Sequence, residues 1–134
     1  MKSRLIVGAV LIVSLLGVGA FASRGGADVT TTRWAIVHVL NPITIKGRVV
    51  MGPVMIVHDD EKMAQGEPCT TIYAFDRSRG PREELVSFHC TPIQRSVAAT
   101  TKMVVEDHPD ALGCKRLLEY QFEGDSEAHG VPFR

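Results

Sequence analysis

The sequence carries no excess of charge of either sign, with 15 Lys+Arg against 15 Asp+Glu. Lys2 and Arg4 are the only charges in residues 1–22, so the rest is mildly acidic, at 13 basic against 15 acidic. Nucleic-acid binding needs a basic surface to displace counterions, and that class of partner is not expected. Aromatics are also few, at 6% with one Trp and two Tyr. They are too sparse for a base-stacking platform and are expected to fill a core. No HExxH, CxxC, CxxCH, GxSxG, glycine-rich phosphate loop or calcium-loop pattern occurs. Those absences remove the motif-defined zinc proteases, haem attachment, serine hydrolases, nucleotide binders and EF-hands. No stretch has the spacing of a long amphipathic helix. At 134 residues the chain has room for one small domain.

The N-terminus has a positive secretory pattern. A basic end (Met1 to Arg4) precedes the apolar run Leu5 to Val18 and the small-residue triplet Ala20-Phe21-Ala22. Residues 1–22 are therefore read as a signal peptide cleaved after Ala22. The alternative is an uncleaved anchor, since Leu5 to Ala22 is near the minimum length for a span. Either way the positive flank stays inside, and a periplasmic or extracellular location is expected for the remainder. Residues 23–30 read as a flexible lead-in, 31–122 as the folded domain, and 123–134 as an acidic, poorly packed tail.

Within the domain the hydrophobic signal has period two. Ile43, Ile45 and Val49 alternate with Thr44, Lys46 and Arg48, as in a strand with one face in a core. Trp34 to Leu40 is apolar on both parities except at His38, which predicts a more deeply covered strand. Val54 to Val57 follows Gly52-Pro53, read as a turn. Asp59 is a plausible N-cap for a short helical turn ending near Gly66. About seven short strands and one helical turn predict an all-β fold, a small antiparallel sandwich or open barrel, with α+β as the alternative.

Two hairpins follow from composition. Thr70 to Phe75 and Glu84 to His89 flank a polar loop. If that loop closes symmetrically, facing residue numbers total 159 and Cys69 opposes Cys90. The same reasoning pairs Val97 to Val105 with Cys114 to Phe122 at a total of 219.

Three cysteines in an exported chain allow one disulfide and leave one thiol. Opposed strand positions fall within bonding reach, so Cys69–Cys90 is the expected bond. Cys114 is expected to be a buried, inert thiol. The densest group of ligand-type side chains is His58-Asp59-Asp60-Glu61. A metal site there would use His58 and Asp60 with His38 or His89, and would hold copper or zinc. The competing reading makes Asp59 a cap and Asp60 and Glu61 complements to the helix dipole. Neighbouring strand residues point to opposite faces, so His89 cannot act as base for Cys90. Catalysis is not expected, a thiol enzyme built on Cys114 being the lesser alternative. The expectation is a small exported binding or structural module stapled by one disulfide, with no cofactor unless the metal reading holds. Its expected partner class is another envelope or secreted protein, and it would touch a membrane only through an uncleaved leader.

Overall fold

The computed structural model describes residues 32–108 and 113–133. The signal-peptide and lead-in assignments lie outside these residues. The fold is all-β. Among the described residues eight strands form one open sheet: β1 (Thr32–Ile45), β2 (Arg48–Asp59), β3 (Thr70–Asp76), β4 (Gly80–Phe88), β5 (Thr91–Gln94), β6 (Lys102–Asp107), β7 (Lys115–Gln121) and β8 (Glu127–Gly130). The order is β4-β3-β2-β1-β7-β8-β5, and β6 also pairs with β7. Pairing is antiparallel except between β1 and β7, which meet in parallel at Ile43 and Thr44. β7 is the branch point. It pairs with β6 over most of its length, with β1 at Lys115 and Arg116, and with β8 from Glu119 to Gln121. Among the described residues no helix is long and apolar enough to cross a membrane.

The β1–β2 hairpin closes on Lys46-Gly47, with Ile45 opposite Arg48. Both turn residues have positive φ, 51° and 78°, the combination whose twist matches a two-residue hairpin. The stretch read as one alternating strand from Ile43 to Val49 is therefore two strand ends and their turn. Gly52-Pro53, read as a turn, continues β2 opposite Val39 and His38. β1 is not covered on both sides. Ala35, Val37 and Val39 point inward, while Trp34 is 60% and Ile36 47% exposed. Apolar residues on both parities do not by themselves indicate two buried faces.

Inward residues of β1 (Val39, Ile43, Ile45), β2 (Val50, Val54, Ile56), β3 (Ile72) and β4 (Phe88) pack with Leu117, Tyr120 and Phe122 into one core. The sheet curls over this core, so that Thr70 of β3 hydrogen-bonds Tyr120 of β7.

Both hairpin registers differ from the symmetric expectation. The β3–β4 turn is tight, with Asp76 opposite Gly80. The Asp76 carboxylate accepts from the backbone N–H groups of Ser78 and Arg79, and Gly80 takes φ 80°. Facing numbers total 156 there, 157 at Tyr73–Glu84 and 158 from Ile72–Val86 to Thr70–Phe88. Two irregularities, each adding a residue to β4, account for the drift. In β3, Thr70, Thr71 and Ile72 are buried, while Tyr73 and Phe75 are half-buried. In the β6–β7 pair the total is 222 to 223, with Met103 opposite Tyr120, instead of 219. The expected tail contains β8, whose Ala128 and His129 are buried. Gln121 explains why this end is fixed: its amide donates to the backbone carbonyls of Ser96 and Asp125.

Candidate metal centre

One end of the core is polar. His58 continues the inward row Val54, Ile56 of β2 and is fully buried. Asp59 then caps α1 (Asp60–Ala64), its carboxylate accepting from the N–H groups of Glu61 and Lys62. The Asp59 N–H donates to the Cys69 carbonyl at 2.9 Å, so the capped loop folds back and sets Cys69 beside His58. Cys90 follows the end of β4, and His129 enters from β8.

His58, Cys69 and Cys90 place one nitrogen and two sulfurs within 4.8 Å of one another. Nδ1 of His58 and Nδ1 of His129 each lie 3.6 Å from the Cys90 sulfur. The two imidazoles are 4.1 Å apart between ring centroids, and Tyr120 stacks on His129 at 4.9 Å. On the far side of the His58 ring, Nε2 is 3.0 Å from the Asp60 carboxylate. That contact holds the proton on Nε2 and turns the Nδ1 lone pair toward the sulfurs, the usual second support of a ligating histidine. His129 Nε2 is buried with no hydrogen-bond partner among the described residues.

Burial, with the neighbouring His58 and Arg33 adding to it, pushes the His129 imidazole down to about 4. It is therefore neutral, with a free lone pair, at physiological pH. Burial and the hydrogen bond shared with Cys69 push the Cys90 thiol up to about 12. A raised thiol is a poor nucleophile, because the thiolate is the reactive form. A cation among these groups would reverse that preference.

The distances suit a tetrahedral ion in part. Bonds of about 2.3 Å to sulfur and 2.0 to 2.1 Å to nitrogen imply edges of about 3.6 Å between N and S and about 3.8 Å between two sulfurs. Both N–S edges to Cys90 are already 3.6 Å. The two sulfurs are closer, at 2.9 Å. This separation also exceeds the roughly 2.05 Å of a disulfide. The bond expected between Cys69 and Cys90 is therefore not formed, and both are free thiols. The pair meets despite the shifted register because both residues lie just outside the paired segments of β3 and β4.

Of the ligands expected from sequence, only His58 belongs to this group. Asp60 touches the opposite nitrogen of its ring. His38 is exposed and opposes Pro53, and His89 is exposed between β4 and Cys90, so neither converges on His58. Adjacent strand positions face opposite ways, which turns His89 outward where Cys90 turns in. Cys69 and Cys90 were legible as a pair but were read as a staple. His129 stood outside the expected ligand set because Gly, Pro and acidic neighbours placed it in a tail, although Glu127-Ala128-His129 forms part of a strand. Cys114 is half-buried before β7 and is not part of the group.

No family model, curated protein or solved structure matches this chain.

Proposed function

We propose that this protein is an exported, non-catalytic β-domain whose ligand is a transition-metal ion held by Cys69, Cys90, His58 and His129. One observation carries the reading: at the buried end of the core the sulfurs of Cys69 and Cys90 and a His58 nitrogen lie within 4.8 Å of one another, and Nδ1 of His129 is 3.6 Å from the Cys90 sulfur. Burial keeps the His129 imidazole neutral, the form that ligates a metal, with Nδ1 beside the Cys90 sulfur. A set of two sulfurs and two nitrogens favours zinc, with monovalent copper as the softer competitor. Four protein ligands leave no open position for substrate, which supports holding or structural use of the ion over catalysis. Export rests on the leader pattern of residues 1–22.

The test is metal content and affinity of the purified, reduced protein. Near-stoichiometric zinc, bound in competition with a chromophoric chelator and lost in both Cys90→Ser and His129→Ala, is the expected result. Protein that binds no zinc or copper when reduced would remove this function.

A further inference from the structure

We infer that the Cys69–Cys90 pair makes the metal site redox-gated, holding the ion as two thiolates and releasing it when the two sulfurs bond to each other. The inference rests on the metal reading above and adds its regulation. The sulfur separation of 2.9 Å is about 0.9 Å short of a tetrahedral S–S edge. It is also about 0.9 Å longer than a covalent S–S bond. Neither state needs more than a local adjustment. Cys69 precedes β3 and Cys90 follows β4, so no ladder hydrogen bond has to break for either movement. The two states exclude each other, because a metal needs thiolate charge that a disulfide sulfur no longer carries. His58 and His129 alone would leave two ligands, too few for a closed zinc site.

The oxidant is a small disulfide, the class of reagent that equilibrates with thiols in an exported compartment. Cys90 is half-buried and Cys69 buried, so Cys90 is the sulfur a donor reaches. Its thiolate bonds to one sulfur of the donor, whose S–S bond breaks and expels the first small thiolate. Cys69 thiolate then attacks the Cys90 sulfur of the mixed disulfide and expels the second. The protein pair loses two electrons and the donor gains them. The divalent ion departs unchanged in charge, and the two small thiolates take protons from water.

The experiment loads the reduced protein with zinc and adds oxidised glutathione, following free zinc with an indicator and the cross-link by peptide mapping. A Cys114→Ser variant is run in parallel to remove the third thiol. Zinc release should track formation of the Cys69–Cys90 bond in both proteins. Affinity should fall at least a hundredfold and return on reduction. Cross-linked protein that keeps its zinc affinity would overturn the gate while leaving the metal reading intact. Zinc release with no Cys69–Cys90 bond, or no reaction of these thiols with the donor, would overturn it equally. Reduced protein that takes up no zinc at the outset would overturn both.

Discussion

Two carboxylates decide contrasting things at single positions. Asp60 sits 3.0 Å from Nε2 of His58 and so selects which nitrogen faces the sulfurs. Asp60→Asn keeps the shape but loses the charge that fixes the tautomer. Zinc affinity should weaken about ten- to a hundredfold, read by chelator competition; unchanged affinity would mean the ring is oriented by packing alone. Glu119, buried in β7, receives two hydrogen bonds from Arg95, at 3.1 and 2.7 Å. The Arg95 guanidinium holds the Glu119 carboxyl below the usual range. A carboxylate with a depressed folded-state pKa adds stability that is complete above its unfolded value of about 4.3 and fades as pH falls through the folded one. Wild type should therefore exceed Glu119→Gln in urea midpoint at pH 7, and the gap should close towards pH 3. A gap that stays constant across that interval would show that the ion pair contributes nothing.

The β1–β2 hairpin isolates a backbone effect at the scale of one element. A Cβ added at Gly47 would meet nothing within 4 Å, yet φ there is 78°. Gly47→Ala should cost about 1 kcal/mol from backbone strain alone, measured by equilibrium unfolding, and no change would show that the turn relaxes to another type. Elements of this kind mark the boundary of what could be read from sequence. Alternation identified strands because a half-buried strand needs it, and Asp59 was recognisable as a cap because its carboxylate has local N–H groups to serve. Registers were not recognisable. Asp76 closes a tighter turn than its polar surroundings implied, and the extra residues in β4 shift facing positions by two. Each arises from the fit of the strand to the curled sheet, which no local pattern records.

The site is a property of the whole molecule. His58 comes from β2, Cys69 and Cys90 from the ends of β3 and β4, and His129 from β8. Their sequence separations run to more than seventy residues, and only the curl of the sheet over its core joins them. Composition shows only that histidines and cysteines are present to be brought together. Only the topology decides that His129 joins and that His38 and His89 stay outside. The same arrangement reconciles two expectations that competed in the sequence, a staple and a metal ligand set, since two sulfurs at one place can serve as either but not as both. X-ray absorption at the zinc edge of reduced, zinc-loaded protein tests the ligand set most directly. Two sulfurs near 2.3 Å and two nitrogens near 2.0 Å are expected, whereas a shell of oxygen and nitrogen without sulfur would contradict it.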